Sequence, residues 1–366
     1  MQMWVMTSTE VRGYIHCVPL GRPMTLRSYV QGSGLWPAQP YDFQCRSNSD
    51  TVHYSAFLTQ AANNTNHPSP GQRVVNENSR VFTEWLMKKL SDNIGSMPRT
   101  LYLRTAYDGT DYHGWQRQLA GLRTVQGVLE DVLRHVVRHP VNLITSGRTD
   151  AGVHAVGHVS SFTTTYTHPT RALQHAITAR LPTDVAVLAV REVHPAFHAT
   201  KSAISKLYRY RIHAREQRPV ANLTHRYTYH CWRPLDAGKM QAAAEHFVGE
   251  HDFSALTPLA AVRECFVRRV FRCGVVCAGE EIQIDVEGDG FLYHQVRTMA
   301  GTLMDVGYGR WAPEEVAAIV ASRDRRRAGP TAPARGLCLQ WVKYPEELLR
   351  SPLADDAAAA LFSEAT

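Results

Sequence analysis

Nine consecutive residues hold the densest chemistry in this chain: Gly147-Arg148-Thr149-Asp150-Ala151-Gly152-Val153-His154-Ala155. Two glycines bracket an arginine and an aspartate. Glycine permits tight turns and close approach of another backbone. A carboxylate carried on such a turn can act as a nucleophile or a general base. It can equally cap the turn by accepting bonds from nearby N–H groups. The loop alone leaves both readings open. His154 has the same ambiguity, as a substrate contact or a partner for backbone. Asp108 and Asp111 are further carboxylates, and a glycoside-type hydrolase would need one of them beside Asp150. No spacing argument brings them together.

The elements that must position this loop follow from apolar spacing. Leu101 to Tyr107 reads as a strand. Val125, Val128, Leu129, Val132, Leu133, Val136 and Val137 form one helical face, and Thr124 is placed to cap it. Arg171 to Leu181 is a weaker helix, and Asp184 to Val193 is a β-branched strand. Beyond them, Lys206 to Ile212 alternates with strand period, and Met240 to Val248 is helical. Val267 to Val276 with Glu281 to Glu287 reads as a hairpin. Phe291, Leu292, Val296, Met299, Ala300 and Leu303 make another helical stripe, with the first two assigned to its core. Pro313 suits the first turn of a helix through Val320, and Leu337, Leu339 and Trp341 alternate in a last strand. Strands and helices interleave in both halves, often with hairpins. That pattern predicts an α+β protein of two sandwich halves rather than a doubly wound parallel sheet.

The chain has 366 residues, formal net charge +7 and 44% hydrophobic residues. That length allows two domains, and the basic balance favours a polyanionic partner. No run of about 18 apolar residues occurs, so no membrane-spanning helix is expected. Met1 to Leu20 lacks the apolar core of a signal peptide. Seven scattered cysteines without a CxxC pair suit reduced thiols in a cytosolic protein, with no metal site expected. Residues 1–96 show no sustained period, apart from a short helical pattern at Arg80 to Leu90, and residues 1–98 are expected to be a disordered or non-native extension. The tail 349–366, Ala-rich and acidic, is expected to fray.

The Gly147 to Ala155 loop resembles the signature of TruA-type tRNA pseudouridine synthases. Other segments share the resemblance in family order: Ala106-Tyr107-Asp108-Gly109-Thr110 through His113-Gly114-Trp115-Gln116, then Lys206-Leu207-Tyr208-Arg209-Tyr210 and Gly249-Glu250-His251-Asp252-Phe253. Gly290 to Met299, with Gly301 and Val306-Gly307, is similar to the third family motif. Ala328-Gly329-Pro330-Thr331-Ala332-Pro333 to Gly336-Leu337 resembles the closing one. The ordered set spans about residues 99 to 345.

The resemblance implies a pseudouridine-synthase fold of two ferredoxin-like α/β sandwich halves, 99–203 and 204–348, forming a central, mostly antiparallel sheet. It makes Asp150 the catalytic carboxylate, acting at the ribose as nucleophile or base, in the ionised form that an ordinary Asp holds at neutral pH. Arg297 becomes its partner, Arg148 a contact to the RNA backbone or an aid to base extrusion, and Tyr208 the tyrosine beside the target base. Tyr210 reads as core or a supporting residue. The implied activity is isomerisation of uridine to pseudouridine in the anticodon stem–loop of tRNA, positions 38 to 40, in the cytoplasm. The implied assembly is a homodimer with no organic cofactor and no metal. A non-catalytic RNA-binding protein on the same scaffold is the rival reading; the four residues Asp150, Arg148, Tyr208 and Arg297 discriminate against it. The run Arg325-Arg326-Arg327 serves either RNA phosphate contact or a solvated helix end. Met97-Pro98-Arg99-Thr100 looks like a native start of such an enzyme, leaving 270 residues to Thr366.

Overall fold

The computed structural model describes residues 98–118, 121–218, 224–258 and 265–351, with four short strands before residue 58. The chain divides into two units, residues 92–350 and residues 1–91 with 351–366. In the second of these, β1 (Tyr14–Cys17), β2 (Met24–Arg27), β3 (Pro40–Arg46) and β4 (Thr51–Phe57) pair antiparallel in that order. These four strands fall within residues 1–98, the stretch expected to be a disordered or non-native extension. Tyr41, Phe43 and Cys45 recur every second residue and stand opposite Ala56, Tyr54 and Val52. That is a strand period too short to stand out in polar surroundings. The helical pattern at Arg80 to Leu90 and the tail from residue 352 lie outside the described residues.

The larger unit begins with β5 (Arg99–Tyr107), whose Leu101 and Leu103 are fully buried on one face while Tyr102 points to the other. The strong apolar stripe folds as α1 (Val125–Val137). Thr124 caps it, its Oγ1 accepting from Gly127 N at 3.2 Å, and Leu129 and Leu133 are fully buried. The two-residue β6 (Ile144–Thr145), the long β7 (His154–Thr164), α2 (Thr170–Thr178) and β8 (Val185–Val193) complete the first half.

β9 (Ser205–Ala214) opens the second half. It is followed by β10 (Tyr229–Cys231), α3 (Ala237–Glu245), β11 (Gly249–Asp252), β12 (Val267–Ala278), β13 (Glu281–Gly288), α4 (Gln295–Gly307), α5 (Glu315–Ser322), β14 (Leu337–Lys343) and α6 (Glu346–Leu349). Two expectations shift here. α3 starts three residues before Met240, because Asp236 caps it by accepting from Lys239 N at 3.0 Å. Phe291 and Leu292 precede α4 rather than belong to its core; His294, in the left-handed conformation at φ 62°, separates them from the helix.

All these strands join one ten-stranded sheet, β11-β12-β13-β9-β14-β7-β5-β8, with β10 on β9 and β6 on β7. The order contains the same unit twice. β5-α1-β6-β7-α2-β8 stacks its strands as β6-β7-β5-β8, and β9-α3-β12-β13-α4-β14 stacks them as β12-β13-β9-β14. Pairing is antiparallel except β10 on β9 and the junction of β14 with β7. That junction sets Cys338 beside His154 and Leu339 beside Ala155. Just beyond, a Cβ on Gly157 would stand 2.1 Å from the Gln340 carbonyl oxygen, so the close approach requires glycine. A contiguous core runs beneath both repeats. Among the described residues, no helix is long and apolar enough to cross a membrane.

Candidate active site

The loop between β6 and β7 is pinned on two sides. On one side, His158 on β7 bonds Thr145 Oγ1 at 2.9 Å and the Gly147 carbonyl at 3.1 Å, while Thr145 Oγ1 also donates to that carbonyl at 2.8 Å. His158 is fully buried and stacks on Trp115, ring centroids 3.7 Å apart. Burial lowers its pKa to about 3, so the ring is neutral. On the other side, the segment after β5 grips the loop. Trp115 N donates to the Thr149 carbonyl at 3.0 Å, Tyr107 Oη and Thr149 Oγ1 share a 2.8 Å bond, and Gly152 N donates to the Tyr112 carbonyl at 3.3 Å. Val153 N closes the turn onto the Asp150 carbonyl at 3.1 Å. Gly109 lies so tightly under Val153 that a Cβ there would meet the Val153 oxygen at 2.0 Å.

This frame presents the Asp150 carboxylate to the start of α4. Arg297 Nη1 donates to Asp150 Oδ2 at 2.9 Å, and His294 Nε2 lies 3.4 Å from the same oxygen. The pair is largely enclosed, with 20% of the Asp150 side chain and 14% of Arg297 exposed. Arg297 is itself fixed, because its Nε donates to the Ala332 carbonyl at 2.7 Å and its own carbonyl accepts from Ala332 N at 3.1 Å. A carboxylate before the first turn of a helix also meets the positive end of the helix dipole. His294 is held below the usual histidine range by burial, with Asp150 opposing and Arg297 and Arg325 adding to the depression. His294 escaped the sequence reading. The signal was its place three residues before Arg297, within the motif-like segment Gly290 to Met299.

Tyr208 on β9 is buried and meets Phe291 edge-on, centroids 5.4 Å apart. Burial raises its phenol pKa, and the Asp150 charge raises it further, which places the two groups within electrostatic reach. Tyr210, two residues on along the same face, is core: its hydroxyl donates to the Pro333 carbonyl at 2.9 Å. Arg148 is exposed beside the loop and bonds no described side chain. The structure therefore pairs Asp150 with Arg297, sets Tyr208 where it feels the Asp150 charge, and leaves Arg148 exposed on the loop.

Several other candidates turn out to be structural. His154 Nδ1 accepts from Gly109 N at 3.0 Å and lies 3.2 Å from Asp108 Oδ1. Asp108 is ringed by Thr110, His154, Arg226 and Tyr227. Burial would raise its pKa, but Thr110, His154 and Arg226 outweigh that and hold it below the usual carboxylate range. Asp111 is exposed and pairs with Arg226 at 3.4 Å. The basic run is mostly committed within the protein. Arg323 pairs with Asp252, Arg326 pairs with Asp324, and Arg325 turns inward to the Gly329 carbonyl at 2.9 Å and Thr331 Oγ1 at 3.1 Å.

Comparison with known proteins identifies the family. A family model described as tRNA pseudouridine synthase matches residues 104–200 and 243–345, segments that hold Asp150 and Arg297. A relative from Pelobacter propionicus, named tRNA pseudouridine synthase A, is 46% identical over 247 residues, covering 67% of this chain and 100% of the relative. Proteins of the same name from Geotalea uraniireducens and Caldicellulosiruptor saccharolyticus are 44% and 40% identical, again covering 67% of this chain and all of their own length. With a family model across more than half its residues and relatives matched over their full length, this chain belongs to the tRNA pseudouridine synthase family, an isomerase family.

Proposed function

We propose that this chain converts uridine to pseudouridine at positions 38 to 40 of the tRNA anticodon stem–loop, with Asp150 acting on the ribose of an extruded nucleotide. The observation that carries this reading is the Asp150–Arg297 ion pair, 147 residues apart in sequence and assembled beside Tyr208. The isomerisation breaks the N1–C1′ bond of uridine and forms a C5–C1′ bond. The proton on C5 leaves and N1 gains one, so the atoms balance without a co-reactant. Asp150 attacks C1′, or removes the C2′ proton to give a glycal-like intermediate; Arg297 aims the carboxylate in either case. Tyr208 offers an aromatic wall to the flipped uracil, an interaction of about 1–3 kcal/mol in single-strand recognition. Arg148 at the rim meets backbone phosphate or helps extrude the base.

The finer architecture belongs to the same proposal. The two βαββαβ units correspond to ferredoxin-like sandwiches, 99–203 and 204–348, in a pseudouridine-synthase fold. The enzyme works in the cytoplasm, as a homodimer clamping one tRNA, and needs no cofactor or metal. Asp150→Asn and Asp150→Ala test the centre. Both abolish pseudouridine formation, mapped by chemical adduct and primer extension on a tRNA transcript, while tRNA binding survives. Loss of binding together with activity would make Asp150 a structural residue.

A further inference from the structure

Lys206 stands on β9 two residues before Tyr208, on the same face of the strand by alternation. Its Nζ lies 3.5 Å from the point a Cβ would occupy on Gly147, the residue next to Arg148 and three before Asp150. Its cross-strand neighbours are Val342 on β14 and Gly288 on β13. Gly288 leaves room that the Phe291 ring fills, 3.1 Å from where a Cβ would be, and that ring also meets Tyr208 edge-on. The ammonium, the two aromatic rings and the Asp150 loop are therefore neighbours.

No carboxylate among the described residues contacts this cation. Arg297 has Asp150, Arg209 has Asp285 and Lys343 has Glu287. Lys206 forms no hydrogen bond or ion pair, and Asp289, whose charge it feels, bonds the Arg269 amide instead. Burial lowers its pKa, and the Arg268 charge lowers it further, against the raising effect of Asp289. A half-buried ammonium with no counter-ion in contact is costly, and an apolar side chain of that length would fill the space without the cost. The exposed Arg148 follows Gly147 directly, so two unpaired cations flank one glycine. Two positive charges suit a phosphodiester better than a neutral uracil carbonyl, while the aromatic pair lies on the Tyr208 side where a base would stack.

We propose that Lys206 binds a backbone phosphate flanking the target nucleotide and so sets how far its ribose reaches toward Asp150. This inference rests on the reading of the chain as a tRNA pseudouridine synthase. The test compares wild type, Lys206→Met and Lys206→Arg for tRNA binding across a salt series. It adds tRNAs carrying a single neutral methylphosphonate at each linkage around the target uridine. Met retains the packed stem, so Lys206→Met folds with a Tm at or above wild type. Its tRNA Kd rises about tenfold, consistent with loss of one charge-assisted bond. The slope of log Kd against log salt falls by about 0.7, one single-strand phosphate contact. Lys206→Arg restores the slope. One methylphosphonate weakens wild type but adds nothing to Lys206→Met. An unchanged slope with additive penalties overturns the inference, even if turnover drops. Wild type that forms no pseudouridine in the same assay overturns the underlying reading instead.

Discussion

Gly109→Ala should cripple turnover while leaving tRNA binding near normal. Gly109 follows β5 and supports Val153, whose amide closes the Asp150 turn. An alanine Cβ would sit 2.0 Å from the Val153 oxygen and 2.6 Å from its carbonyl carbon. Both are backbone atoms, so no side-chain rotation relieves the clash. A comfortable C···O contact is about 3.3 Å, so the two backbones must part by about 1.3 Å. The 3.0 Å bond from Gly109 N to His154 Nδ1 stretches with them. Gly109 is not in the left-handed region, so alanine meets no conformational penalty of its own. Overpacking of this kind costs about 1–3 kcal/mol, and each kcal/mol lowers Tm by about 2–4 °C in a unit of this size. A displacement near 1 Å of a catalytic group costs about 10²-fold in rate. Single-turnover pseudouridine formation at saturating enzyme, tRNA Kd and Tm are the readouts. Gly274→Ala is the control, because no atom lies within 4 Å of its Cβ position, and it should alter none of the three. A folded Gly109→Ala protein within threefold of wild-type turnover would show that this backbone contact does not set the position of Asp150.

Other expectations follow from neighbouring residues. Tyr208→Phe keeps the ring and its contact with Phe291, so kcat falls more than tRNA affinity; a comparable fall in both contradicts the assigned role. The pKa of His158 is about 3 in the fold, against about 6.5 when unfolded, so its contribution to stability is complete above pH 6.5 and drains as pH falls toward 3. The unfolding free energy, measured by denaturant titration across that window, should therefore fall less steeply in His158→Gln, by up to about 1.4 kcal/mol per pH unit, and parallel acid limbs would refute this. Burial raises the Cys273 thiol to about 12, with Asp285 adding to the rise, and burial raises Cys338 to about 11. Native iodoacetamide labelling at pH 8, read peptide by peptide, should modify exposed Cys265 and Cys277 well before either; early loss of Cys273 would count against it.

Local pattern carried much of the architecture into view. The stripe from Val125 to Val137 became α1 with its Thr124 cap, because a 3.6-residue period and a capping hydroxyl are both local properties. Boundaries were less legible. The apolar residues Phe291 and Leu292 match the helical period, yet His294 at positive φ breaks the chain before α4, and no periodicity reports a single left-handed residue. Trp341 matches the alternation of Leu337 and Leu339, but the register of β14 shifts between Leu339 and Trp341, leaving Trp341 half-buried. The motif loop made Asp150 a candidate at once. Its contact with His294, and the frame of Tyr107, Gly109 and Trp115 around it, depend on strand order, which single-sequence reading does not supply.

The doubled topology raises the question of why one chain shows one such centre among its described residues. The answer lies in connection length. In the first repeat, residues 146–153 separate β6 from β7, long enough to lift Asp150 off the sheet edge. In the second, the equivalent strands β12 and β13 are joined by Gly279 and Glu280 alone, a tight hairpin that cannot carry a projecting loop. The repeats contribute different groups: one supplies the carboxylate, and the other supplies His294 just before α4, Arg297 from α4 and Tyr208 from β9. Such a division functions only if the two repeats hold their registration. The parallel β7–β14 junction provides it, and the two-residue pairing at His154 and Ala155 lies immediately after the Asp150 loop. Any slip there would move the carboxylate relative to its arginine, so the glycine contact at Gly157 with Gln340 helps to align the Asp150–Arg297 pair as well as the sheet.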